Sequence, residues 1–161
     1  MANPGNAYLA QAKRAVVLHG HGEAAFSLLE RSAGLGNAEA IYAIGTWHLF
    51  GTHVRKNFRK AAEYLQRASD LGHAAASFDL AVSYEKGKGV ERDKGHAFRL
   101  YMKAALLGDR QAKYEVGRCF YWGIGTAKDR QAAEVWYQAY GQEPQAKAAA
   151  SRKPLARLHG H

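Results

Sequence analysis

Three groups of residues have types and spacings that could do chemistry. Gly87 and Gly89 lie among Lys86, Lys88 and Asp93 in YEKGKGVERDKGHA, residues 84–97, and could wrap a phosphate with backbone N–H groups. A phosphate loop of that kind needs a Ser or Thr after a Gly-Lys pair to hold magnesium, and none follows here. His19 and His21 with nearby Glu23, and the second pair His159 and His161, could ligate a metal. Zinc requires a rigid third and fourth ligand, whereas a His-Gly-His connector offers two flexible ones, so a plain turn is expected and no metal is assigned. Cys119 is the only cysteine. It cannot form an internal disulfide, and a lone cysteine is most often a small buried hydrophobe. No Ser-His-acid set or carboxylate pair stands out. No catalytic residue and no cofactor are therefore assigned, and no enzyme is expected.

Charge is the other chemical resource. The chain carries a net +9, of which +4 falls in the tail 145–161 on Lys147, Arg152, Lys153 and Arg157. A second cluster is Arg55, Lys56, Arg59 and Lys60. Such patches can meet phosphates, but no nucleic-acid-reading motif accompanies them. An acidic protein partner is expected over nucleic acid, with only weak, sequence-blind, salt-sensitive binding to oligonucleotides.

The elements that must position these residues follow from a repeat. The chain aligns on itself at a period of 36, without insertion, over residues 37–72, 73–108 and 109–144. The columns include Ala40/Ala76/Ala112, Tyr42/Phe78/Tyr114, Ile44/Leu80/Val116, Gly51/Gly87/Gly123 and Asn57/Asp93/Asp129. Ala40, Ile44 and His48 fall on one helical face. A second helix is capped by Asn or Asp, buries Ala61, Tyr64 or Leu65, and Ala68, and ends at Leu71-Gly72 with a left-handed glycine. The glycine-rich stretch is thus a turn between two helices, and Asp93 is a cap. Residues 7–36 read as an N-terminal cap and partial repeat, because Ala25, Leu29 and Leu35-Gly36 keep the second-helix pattern. Residues 145–161 read as a C-terminal cap and basic tail. All 161 residues form one domain.

The second repeat, with Ala76, Phe78, Leu80, Tyr84, Gly87, Gly89, Val90, Asp93, Ala97, Ala104, Ala105 and Gly108, resembles the Sel1-like repeat. The first departs at His48 and His53, where that pattern prefers Tyr and Gly. The resemblance covers about residues 23–144 and implies an all-α fold, an α/α superhelical solenoid related to tetratricopeptide proteins. It also implies protein or peptide binding, and no catalysis. By that analogy the first helix of each repeat lines a concave face. This exposes Tyr42, Thr46, Leu49 and Phe50, then Phe78, Val82, Glu85 and Lys86, then Tyr114, Arg118, Tyr121 and Trp122. The aromatic column 42/78/114 belongs to the pattern and is expected to pack between repeats. Phe50, Arg118 and Trp122 depart from it, and with Glu85, Lys86 and Tyr121 they are the expected partner-binding residues. Arg118 is expected to offer a fork to a partner's carboxylate.

The resulting expectation is a protein-interaction module of a bacterial adaptor type. Its alternative is an immunity protein that holds a cognate secreted toxin inactive, which a toxin gene next door would favour. The start of the chain lacks a secretory signal. That fits the cytoplasm, and a trimmed chain would fit the periplasm. No apolar run reaches the roughly 18 residues of a membrane span.

Overall fold

The computed structural model describes residues 1–20 and 22–142 and holds, among these, eight α-helices and no strand. They are α1 (Asn6–His19), α2 (Gly22–Gly34), α3 (Ala38–Phe50), α4 (Phe58–Asp70), α5 (Ala74–Lys86), α6 (Lys94–Leu106), α7 (Arg110–Trp122) and α8 (Arg130–Gly141). The helices fall into two compact units, one from Met1 to Leu71 and the other from Gly72 onward. The expected C-terminal cap and tail, 145–161, lie outside the described residues.

Side-chain acceptors decide where the helices start. Asn57, Asp93 and Asp129 accept the backbone N–H groups of Lys60, His96 and Ala132 at 2.8–3.0 Å, as their column predicts. A second cap column, Asn37/His73/Asp109, opens α3, α5 and α7 by accepting from Ala40, Ala76 and Ala112. Each satisfies one of the N–H groups that a helix start leaves without a carbonyl partner. Left-handed Gly51, Gly87 and Gly123, with φ of 69–70°, end α3, α5 and α7. The suspected phosphate loop is therefore a helix stop and a turn.

In the first unit, α1 packs on α2, α2 on α3, and α3 on α4. With neighbours on both sides, α3 is buried from Ala40 through His48; a helix that is apolar nearly all round belongs inside. Trp47, Ile44, Leu29, Leu65 and Val16 are fully enclosed. Gly45 makes this possible, since a Cβ there would stand 3.2 Å from Tyr64 Cβ and 3.3 Å from the Leu65 side chain. The N-terminal cap is tied in by polar bonds. Ser32 Oγ donates to Gly5 O at 2.8 Å, and Asn37 Nδ2 donates to Asn6 Oδ1 at 2.8 Å.

The burial of α3 corrects the list of exposed positions. Tyr42 and Thr46 are buried, and the Thr46 hydroxyl returns to Ala43 O at 2.8 Å. Two members of the aromatic column meet the second helix of their own hairpin. In the second unit Phe78 meets Tyr101 of α6 at 5.4 Å, and Tyr114 meets Tyr137 and Tyr140 of α8 at 5.4 and 5.5 Å.

His48 gives a pH-dependent element to the first unit. Its ring is 8% exposed, stacked on Tyr64 and edge-on to Phe26. Burial lowers its pKa, a bond to the Arg55 carbonyl works against that, and the Lys60 charge lowers it further. The fold thus favours neutral imidazole, and the unfolded chain takes up the proton more readily. Stability from this site is present in full above the unfolded value near 6.5 and is lost as pH falls below it. Urea midpoints at pH 7 and pH 5 should differ less in His48→Phe than in the wild type. Equal pH dependence in both would show that His48 is not the source.

Candidate partner-binding surface

The expected binding residues lie at the last turns of α3, α5 and α7. Phe50 closes α3 in the first unit and is 46% exposed. Glu85 and Lys86 close α5, while Arg118, Tyr121 and Trp122 occupy the last turns of α7, all in the second unit. The spacing i, i+3, i+4 puts the three α7 residues on one face of that helix.

Within the second unit the structure brings Glu85 and Arg118 together. Arg118 Nη2 donates to both oxygens of Glu85 at 2.9 Å, and its Nε donates to Glu115 Oε2 at 2.6 Å. From α6, the Tyr101 hydroxyl donates to Glu85 Oε2 at 2.7 Å. The three charged side chains keep only 26%, 19% and 17% of their surface, for Arg118, Glu85 and Glu115. Burial pushes the Glu85 carboxyl up, but the bonds from Tyr101 and Arg118 outweigh it and hold the group below its usual range. Burial pushes the Tyr101 hydroxyl up, and the adjacent Glu85 adds to that. Burial lowers the pKa of Arg118, and its two carboxylate partners more than restore it.

This arrangement corrects the expected role of Arg118. Its fork is already engaged inside the unit and is not an open receptor for a partner's carboxylate. Tyr101, Glu115 and Arg130 were missed. Glu115 was legible as the i−3 neighbour of Arg118. Tyr101 gave no polar signal, because its column reads as core.

The exposed part of the surface is aromatic. Trp122 is 60% exposed and stands edge-on to Tyr121 at 4.8 Å. The Arg130 guanidinium lies over the Tyr121 ring, 4.6 Å from its centroid. Tyr114 continues the exposed face further back along α7. The face is braced from behind by Tyr137 of α8, seated over Gly117, where a Cβ would come within 2.7 Å of the ring.

The remaining candidates are chemically quiet. Cys119 is buried, and burial pushes its thiol up to about 11, so little thiolate forms near neutral pH. Among the described residues no group of three or more His, Cys, Asp or Glu side chains could hold a metal. The His19 side chain, His21, His159 and His161 lie outside what is described. Among the described residues, no helix is long and apolar enough to cross a membrane.

The family model described as Sel1 repeat matches residues 38–73, 74–109 and 110–139. Among solved structures, a protective antigen of uropathogenic Escherichia coli with an SLR fold superposes at a TM-score of 0.85 and 23% identity. That match covers 91% of this chain and 32% of the antigen. A Sel1 repeat protein from Oxalobacter formigenes gives 0.83 at 23% identity, covering 91% of this chain and 61% of that one. Helicobacter pylori cysteine rich protein B gives 0.59 at 22% identity, covering 76% and 92%. This chain therefore spans less than two thirds of the length of the first two. No curated protein sequence matches it.

Proposed function

Because the chain belongs to the Sel1 repeat family, whose members are generally protein-interaction scaffolds, we propose that it is an adaptor-type module binding its partner through the exposed face of α7. The observation that carries this reading is Trp122, a large aromatic side chain left mostly in solvent on a platform of Tyr121 and Arg130. Tyr, Trp and Arg dominate interface hot spots because they bury much area at little conformational cost. The support beneath is rigid: Tyr121 and Trp122 stand one turn beyond the Arg118 ion-pair network, and Gly117 fixes the distance to α8. Lys86 and Arg130 are exposed cations of the same unit and favour a partner with an acidic rim.

The test is a pull-down with wild type, Trp122→Ala and Lys13→Ala as baits, with the recovered partner then titrated. Losing one central anchor costs about 2 kcal/mol, roughly thirtyfold in affinity. Trp122→Ala should therefore lose the partner while Lys13→Ala, on α1, retains it. Equal recovery by both variants would move the interface off α7.

A further inference from the structure

A cavity of about 390 Å³ opens in the first unit between α2, the end of α3 and α4. Three rings form its wall. Phe26 meets His48 edge-on at 6.1 Å, and His48 stacks on Tyr64 at 6.0 Å. Lys60, Tyr64 and Arg67 share one face of α4 at i, i+4 and i+7 spacing, and Glu30 of α2 adds to the lining.

The repeat supplies an internal control for what packing alone requires at this place. Where the first unit has Glu30, His48, Lys60, Glu63 and Arg67, the register holds Gln66, Tyr84, His96, Arg99 and Lys103 thirty-six residues on, and Met102, Phe120, Ala132, Val135 and Ala139 seventy-two residues on. The edge-on ring pair is kept, Phe98 with Phe120 at 5.2 Å. The hairpin therefore tolerates an apolar residue at every one of these positions. Five polar or charged side chains around an aromatic wall are not needed to hold the helices together.

We propose that this cavity is a binding site for an aromatic carboxylate, whose ring lies against Phe26, His48 and Tyr64 and whose acid group meets Arg67. The size suits it, since small-molecule pockets begin at about 300 Å³. So does the charge. Glu63 is engaged by Arg59 at 3.8 Å, whereas Lys60 makes no ion pair among the described residues and the Arg67 guanidinium lies over the Tyr64 ring, 5.3 Å from its centroid. Two cations against the one remaining carboxylate of Glu30 leave a positive surplus. Burial is the main cause of the lowered His48 pKa, and the nearby Lys60 charge lowers it further. A guanidinium held on a ring presents a fixed fork to a carboxylate. The ligand can be a free aromatic acid or the C-terminal aromatic residue of a polypeptide, since ring and carboxylate are common to both.

The experiment is an NMR titration of the full chain with 3-phenylpropionate, 3-phenylpropan-1-amine and N-acetyl-Gly-Phe. Saturable shifts with the two acids, centred on α2 and α4, are expected. A bound anion should also raise the pH at which the His48 ring titrates. Tighter binding of the peptide identifies a polypeptide terminus, and equal or weaker binding identifies a free acid. Arg67→Ala, at a position whose side chain no core contact requires, should weaken both acids about tenfold, with Lys128→Ala unchanged. Absence of saturable shifts, amine binding as tight as the acid, or an Arg67→Ala variant that binds normally would each overturn the assignment.

Discussion

Gly125→Ala is expected to cost the second unit about 3 kcal/mol or more, a large share of the stability of a domain this size. Two effects add at this residue. Its φ is +68°, where a Cβ crowds the following carbonyl. The added carbon would also be driven into the Lys94 backbone carbonyl and within 3.0 Å of Gly95 N, neither of which can swing away as a side chain tip can. Gly72 separates the two effects. Its φ is +83°, but nothing lies within 4 Å of the place a Cβ would take. Gly72→Ala should therefore show the conformational cost alone, about 1 kcal/mol. Urea denaturation followed by circular dichroism makes the comparison, and similar midpoints for the two variants would show that the turn can move away from Lys94.

Arg118→Ala is expected to lower stability by about 2–3 kcal/mol, before any effect on a partner. Removing the guanidinium leaves Glu85 and Glu115, both mostly buried, facing each other without their common cation, and an unpaired buried charge is costly. The same network sets a pH limit. Because the Glu85 carboxyl is held below its usual value near 4.5, its contribution is complete above that pH and fades as pH falls through the lower folded value. Arg118→Ala should therefore flatten the acid limb of the stability curve as well as lower it. A variant with the wild-type midpoint at pH 7 would mean that solvent already satisfies the two carboxylates.

Helix order, caps and turns were legible because each depends on a local column. Asn57, Asp93 and Asp129 cap in the observed way because a cap needs only its own side chain and the N–H three residues on. The candidate site was less legible because its geometry depends on neighbours. Nothing local to Arg118 announces Glu85, 33 residues earlier, as its ion-pair partner. Thr46 sits in the same column as Arg118, yet its short side chain is enclosed and turns back to Ala43 O, where the longer Arg118 reaches two carboxylates. His53 shows a limit of a different kind. It stands in the register of Gly89 and Gly125 and adopts their left-handed backbone at φ +58°, with its ring 4.8 Å from Trp47. The repeat pattern predicts the conformation there, while the residue type alone argues against it.

Within each unit every helix packs chiefly on the helices next to it in sequence, and this order bears on how quickly the chain folds. No contact of that kind requires a long loop to close before any burial is gained, so the entropy of closure stays small at each step. Chains with such local contacts fold in microseconds to milliseconds, and arrays of repeats start wherever one hairpin is most stable and grow outward. In the first unit the expected starting point is α3 with α4, where Ile44, Trp47 and Leu65 are shut away from water together. In the second, α8 buries only Ala133 among its described residues. By this measure it gains least from early docking, so the brace behind Trp122 is expected to form late.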